Sequence, residues 1–398
     1  MKKKLLLIAL ILFMAFGVKF TLLSDTEASK QEIATIQKEI SKLGFSWQAG
    51  ETSLTRLSDS ERQMRHGTFP NDLVQTQIDD KIELLADVPP TLDWRNKSGN
   101  WVTPIRDQGQ CGSCWAFATT GVLESITKIA KKIKTDIDLS EQTLVSCSNA
   151  GDCDGGYTYY ATKYCKTTGI PRESCFPYSH SDEACKPCNG WQKKTVRITS
   201  YRWYNKQSAK VIETALQAGP VTSFMEIYSD FYNYKSGIYQ KTPSAKYKGG
   251  HAIVIIGYNV NENYWICKNS WGEDWGENGY FKIRMGNVRI ASDCMSMSGP
   301  IMANNLPVLQ TITAQNAYEG STINLALSAT DADSDPITYG CLNLPTGATL
   351  NAASGAFSWT PSYTQSGVYN LQFAASDGMG ESVKTGKITV INVKRKQF

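Results

Sequence analysis

A chain of 398 residues with 41% hydrophobic and 20% charged residues has the make-up of an ordinary globular protein, long enough for two domains or more, and disorder is not its default reading. The net charge of +4 is unevenly spread: residues 29–87 carry seven Lys/Arg against ten Asp/Glu, and residues 88–300 carry 25 against 19. An acidic segment thus precedes a basic body and charge favours their association; no basic helix, aromatic–basic motif or zinc-finger spacing accompanies that body, so nucleic acid is not an expected partner.

The chain opens with "MKKKLLLIALILFMAFG", a basic stretch followed by an apolar run. The run is shorter than the ~20 residues of a spanning helix, which favours a signal peptide over residues 1–28 against an uncleaved anchor. Cleavage is expected after Ala28 or earlier near Gly17, and a secreted, periplasmic or cell-surface location follows. Next, Ile33, Ile36, Ile40 and Leu43 recur at three- and four-residue steps, an amphipathic helix pattern. Residues 29–87 hold too few apolar side chains for a core of their own and are expected to fold against another part of the chain.

From Val88 to Pro300 a helix comes first and strands later, an α+β arrangement. Trp115, Ala118, Val122, Ile126, Ile129 and Ile133 fall on roughly one face of a long helix. "GGHAIVIIGYN", "NYWICKNSW" and "NGYFKIRMG" read as strands. Residues 301–308 form a turn-rich linker. Over 309–398, alternation at Ile323, Leu325 and Leu327, and at Tyr369, Leu371 and Phe373, predicts an all-β sandwich of short strands. No internal repeat is present.

Eleven cysteines, ten of them between Cys111 and Cys294 and only Cys341 beyond, leave an odd thiol once bridges form in an exported protein. Cys111 and Cys114 share a C-x-x-C spacing that fits a redox pair, half a zinc site or one structural and one reactive cysteine. A redox pair wants a βαβ context. A zinc site needs a second pair, which "CKPC" supplies. Cys114, however, stands at the start of the predicted helix, where backbone N–H groups and the helix dipole favour a thiolate. A cysteine nucleophile needs a base and a group that orients it. Of three histidines, His66 lies in the acidic segment and His180 in a turn-rich stretch, whereas His251 follows two glycines at the mouth of a strand. Asn269 can accept from one ring nitrogen of His251 and leave the other facing the thiol. Gln108, with the backbone N–H of Cys114, makes a two-donor oxyanion hole.

"QGQCGSCWAF", "SEQTLVSC", "CDGGY", "GGHAIVIIGY" and "NSWGEDWGENGYFKI" together resemble the papain family of cysteine peptidases over residues 88 to about 298. The spacings of 137 residues from Cys114 to His251 and 18 on to Asn269 belong to that resemblance. The resemblance implies a papain-like two-lobe fold, a helical left lobe facing a β-barrel-like right lobe, with Cys114 as nucleophile and His251 as base and acid. Asn269 orients the imidazole, Gln108 supplies an oxyanion donor, and Trp271 shields the Asn–His bond. Gly155 and Gly156 bind substrate backbone, and Tyr157 walls the adjoining pocket. Residues 29–87 become a propeptide, cut just before Val88. Cys111 pairs with Cys153, and Cys147 with Cys185 or Cys188. Cys267 is a buried free thiol, and Cys294 sits at a family position without an identified partner.

Two departures bear on activity. "FSWQAGETS" resembles cathepsin B-like propeptides, yet the paired histidines of that branch's occluding loop are missing because His180 is solitary. An open-ended groove favours endopeptidase action. The last domain resembles bacterial Ig-like and cadherin-like modules. Its "DADSDP" places Asp331, Asp333 and Asp335 two apart, a possible calcium site but not an EF-hand, since Leu342 stands where the bidentate Glu belongs. The expectation is a monomeric, secreted zymogen hydrolysing peptide bonds without metal or organic cofactor. Its partners are protein or peptide substrates, its own propeptide and a surface ligand of the sandwich. The rival expectation is a silent adhesion protein using the peptidase fold as scaffold.

Overall fold

The computed structural model describes residues 27–71, 84–85, 87–302, 305–332, 335–378 and 380–393. The expected signal segment falls almost wholly outside the described residues. Among them no helix is long and apolar enough to cross a membrane.

A helix over 27–43 carries Ile36 and Ile40 into the core, while Leu43 is 42% exposed because the chain turns away at Gly44 (φ +66°). The segment then adds the strand Gln48–Ala49 to Tyr234–Ser236 of the main body. Trp47 is buried beside it, with ring centroids 6.2 Å from Tyr234 and 5.1 Å from Tyr239. Ser58 and Glu61 form a reciprocal capping box that starts the short helix Asp59–Gln63.

The helix Cys114–Lys131 is the axis of the main body. Its apolar stripe is as expected, but burial is not confined to that face: every residue from Cys114 to Lys128 is buried. On the other faces Thr119, Ser125 and Thr127 donate to carbonyls one turn back, whereas the buried Thr120 hydroxyl has no hydrogen-bond partner. Glu124 accepts from Thr103 Oγ1 and Leu139 N, and Lys128 Nζ pairs with Asp136 at 2.7 Å. The helix stops at Lys132, in the left-handed region (φ 56°), whose N–H donates to the Lys128 carbonyl. Helices Glu141–Cys147 and Thr158–Thr167 complete the helical lobe.

The second lobe is an eight-stranded, mostly antiparallel sheet whose centre is Tyr247–Asn259, flanked by Val221–Tyr228 and Tyr264–Lys268. Asp293–Met302 pairs with Val196–Asn205 as far as Met302, two residues past Pro300. Three disulfides, Cys111–Cys153, Cys147–Cys185 and Cys175–Cys188, staple the helical lobe. Cys165, Cys267 and Cys294 are buried thiols, and Cys341 is partly exposed.

The last domain is all β. A four-stranded sheet, led by Gly367–Ser376 and Glu381–Ile391, faces a three-stranded one around Ala356–Trp359. Ile323, Leu327, Phe357, Trp359, Leu371 and Phe373 fill the space between, whereas Leu325 and Tyr369 are only partly buried at its margin. The domain docks on the helical lobe. Asp335, 8% exposed, is paired with Arg172 and with Lys194 Nζ at 3.1 Å. Arg172 also donates to the Asp377 carbonyl, and Glu381 Oε1 accepts from Lys134 N and Thr135 N at 2.9 and 3.2 Å. Asp335 thus presents its carboxylate to two cations of the neighbouring lobe, and Asp333 lies outside the described residues.

Candidate active site

Cys114 is the first residue of the axial helix, so its thiol sits at the positive end of that helix. Ser113 precedes it but leaves the cap unfilled; its hydroxyl is hydrogen-bonded to Tyr178 Oη at 2.6 Å instead. The thiol is wholly buried, and burial pushes it up from its ordinary range.

His251 projects from the central strand of the second lobe. Its Nε2 is 2.8 Å from Asn269 Oδ1. That oxygen also accepts from Ser270 N at 2.9 Å, which assigns it as the acceptor and makes Nε2 the protonated nitrogen. Nδ1 is then the basic nitrogen, and it is buried without a hydrogen-bond partner. Trp271 lies over the ring at 4.7 Å between centroids. Burial pushes the imidazole down to about 4, against the opposing effect of the hydrogen bond it donates to Asn269 Oδ1.

Gln108 is fully buried and fixed at three points. Its N–H donates to the Ser270 carbonyl, its Oε1 accepts from Ser270 Oγ at 2.7 Å, and its Nε2 donates to the Cys111 carbonyl at 2.8 Å. A carboxamide NH₂ has two hydrogens, so one remains for an oxyanion. The Gln108 carbonyl is itself held by Tyr178 Oη at 2.9 Å and lies 3.3 Å from His180 Nδ1.

Residues 66–71 run through the cleft. Thr68 Oγ1 is 2.9 Å from Cys114 Sγ. Gly156 N donates to the Gly67 carbonyl at 2.8 Å and Phe69 N to the Gly156 carbonyl at 3.0 Å, so both backbone groups of Gly156 are used. On the opposite wall Thr68 N donates to the Gly250 carbonyl at 3.1 Å. A Cβ at Gly250 would stand 2.2 Å from the Thr68 carbonyl, and one at Gly156 would stand 2.6 Å from the Ala150 carbonyl and from the Trp115 ring. A Cβ at Gly155 would stand 2.2 Å from the Gly67 carbonyl, so the groove needs Gly250 and Gly155 to admit a peptide backbone, whereas Gly156 is required by packing within the main body. Tyr157 packs on Phe69 with centroids 5.3 Å apart, and Gly155 borders Gly67.

The residues expected from sequence are thus gathered around one groove. Missed in the sequence were Thr68, Ser270 and Tyr178, together with His66, whose Nε2 lies 2.8 Å from Tyr232 Oη at the cleft edge. Only the glycines before His251 gave a signal for the wall at Gly250.

A family model described as "Papain family cysteine protease" matches residues 88–301, and one described as "Putative Ig domain" matches residues 306–393. "Pro-cathepsin H" of Mus musculus is 41% identical over 213 residues, covering 50% of this chain and 61% of its own length. The chain spans only 61% to 66% of the first curated relatives it matches. Among solved structures, digestive procathepsin L2 from Tenebrio molitor aligns with a TM-score of 0.60 at 31% identity, over 68% of this chain and 91% of that one. The procathepsin B of Trypanosoma congolense aligns at 0.61 and 22% identity, over 69% and 98%, a likeness of fold alone.

Proposed function

The chain belongs to the papain family of cysteine proteases, and from that premise we propose that it is the secreted zymogen of a cysteine endopeptidase. Residues 29–87 are its propeptide, residues 88–300 its catalytic unit and residues 309–398 its targeting domain. The carrying observation is the pair His251 Nε2–Asn269 Oδ1 at 2.8 Å in the cleft that also holds Cys114, whose thiol is covered by Thr68 at 2.9 Å. In the closed form the thiol and the imidazole are both neutral, since burial disfavours both charges.

Removal of the propeptide admits water and substrate. The proton of Cys114 passes to Nδ1 of His251, and the imidazolium is steadied by Asn269 and covered by Trp271. The thiolate sulfur attacks the substrate carbonyl carbon, and the oxyanion is held by Gln108 Nε2–H and the Cys114 N–H. Collapse breaks the C–N bond while the imidazolium protonates the leaving amine. Water, deprotonated by His251, then attacks the thioester, releases the acid and restores the thiol. Gly155, Gly156 and Tyr157 bear the substrate on one side of the scissile bond.

Mass spectrometry after an epoxide that alkylates active thiolates tests this reading. It expects one adduct, on Cys114, in the chain beginning near Val88 and none in the closed precursor. No adduct on the activated chain under reducing, mildly acidic conditions refutes it.

A further inference from the structure

Two N–H groups must converge on one point to hold an oxyanion, and here they come from separate segments, Gln108 Nε2 and Cys114 N. The Cys114 N–H is aimed by its peptide plane. The Ser113 carbonyl accepts from Ala116 N at 2.8 Å and from Phe117 N at 3.2 Å, which turns it into the axial helix. In a trans peptide the N–H of the next residue then points the opposite way, out of the helix end. Gln108 is aimed by its own anchors, and its main-chain carbonyl is one of them.

Between the two segments stands Tyr178. A phenol has one hydrogen, and it goes to the Gln108 carbonyl, which can only accept, at 2.9 Å. At 2.6 Å the Ser113 hydroxyl is therefore the donor and Tyr178 Oη the acceptor. The result is a directed chain, Ser113 Oγ–H to Tyr178 Oη–H to the Gln108 carbonyl. It ties the residue before the nucleophile to the residue that carries the other donor. Burial raises the phenol further above its ordinary range, so it stays a donor.

The tyrosine is built to hold still. Its ring stands edge-on to Phe117, one turn along the axial helix from Cys114, at 4.8 Å between centroids, and to His180 at 4.7 Å. Its N–H donates to Glu173 Oε1 at 2.6 Å. On either side of it, the Phe176 carbonyl accepts from Ser140 Oγ at 2.6 Å and Ser179 N donates to Gln142 Oε1 at 3.0 Å. The disulfides Cys147–Cys185 and Cys175–Cys188 close the same loop. A donor pair stabilises developing charge only when both N–H groups are already in place, and a misplacement of about 1 Å costs up to ~10²-fold in rate. We propose that Tyr178 is a positioning residue for the oxyanion hole: its single hydroxyl fixes the spacing of Gln108 and Ser113, and so of the two donors. It acts on the step that forms the oxyanion, and not on substrate binding or on ionisation of the thiol. The proposal rests on the peptidase reading above.

The test uses the activated full chain. Tyr178→Phe keeps the ring between Phe117 and His180 and removes only the hydroxyl. It is expected to lower kcat for a peptide amide roughly ten-fold with KM nearly unchanged. The affinity of a peptide aldehyde, whose hemithioacetal oxygen takes the place of the oxyanion, is expected to fall by a similar factor. The attack of Cys114 on 2,2′-dipyridyl disulfide, which forms no oxyanion, is expected to keep its rate and pH profile. Ser113→Ala removes the donor to Tyr178 Oη and is expected to lower kcat about three-fold, with the double variant no worse than Tyr178→Phe alone. Unchanged kcat and aldehyde affinity in Tyr178→Phe overturn the proposal. So does a loss of disulfide reactivity in step with kcat, the mark of a general disturbance of the site. Should Tyr178→Phe fail to fold, Ser113→Ala decides by the same three readings. A wild-type chain that cuts no peptide and leaves Cys114 unreactive overturns the peptidase reading and this proposal with it, whereas active wild type beside an indifferent Tyr178→Phe overturns this proposal only.

Discussion

His66 lies against Gly249, two residues before His251, and both imidazoles are pushed down to about 4. For His66 the largest cause is burial, followed by the charges of His251 and Lys248, with Asp59 opposing. Released into water, His66 returns towards its ordinary 6.5. A depressed imidazole favours the closed form fully above pH 6.5. As pH falls, the open form takes up protons first, and the contribution is gone once the pH passes below about 4. For His66 alone the span is worth roughly 3 kcal/mol. Limited proteolysis of Cys114→Ala full-length chain should therefore show opening that rises between pH 6.5 and 4, and a flat profile contradicts it. Gln108→Ala should lower kcat by about 10²–10³ with little change in KM, measured on small peptides. The residues of this site were legible because each sits in a local motif: a thiol before a helix, a histidine after two glycines, an asparagine after a strand. Thr68 and Tyr178 were not. They reach Cys114 and Ser113 across 46 and 65 residues of chain, and nothing in their own neighbourhoods marks them.

At the level of elements, the propeptide is held by a helix face, a two-residue strand and one aromatic anchor. Trp47, 1% exposed among Tyr234 and Tyr239, is the largest side chain that the segment commits to the main body. Trp47→Ala should cost about 3–5 kcal/mol of that attachment. The expected result is activation at higher pH and a faster onset in a continuous peptide-cleavage assay; an unchanged onset would place the hold elsewhere. The helix pattern Ile33–Ile36–Ile40 was readable, since periodicity is a local property. The pairing of Gln48–Ala49 with Tyr234–Ser236 was not, because two residues carry no alternation to detect. The axial helix shows the converse limit. Its stripe was evident, yet its burial on all sides follows from lying between two lobes, a fact absent from its own sequence.

Across the whole molecule, the sandwich is docked rather than merely strung on a linker. Asp335, Arg172 and Lys194 join segments more than 140 residues apart, so no pattern along the chain announces the contact. Asp335→Ala leaves Arg172 and Lys194 without their shared anion and should weaken the docking by about 3–5 kcal/mol, as for one partner removed from a buried pair. Small-angle scattering should then report a more extended particle while small-peptide cleavage persists. Calcium should leave the melting temperature of the full chain unchanged, because Asp335 already answers two cations; a calcium-dependent rise would restore the metal reading of "DADSDP". The class of each domain was legible from strand spacing and helix order, whereas their mutual placement depends on tertiary partners.

The covered thiol has a consequence for how the chain acquires its bridges. Six cysteines must find their partners while Cys114 stands three residues from Cys111. Thiol–disulfide exchange runs through thiolates that solvent can reach. With Cys114 wholly buried and its ionisation disfavoured, the propeptide acts on it as a protecting group acts in synthesis. In the proposed reading it masks the nucleophilic sulfur through the coupling steps, and its later excision is the deprotection.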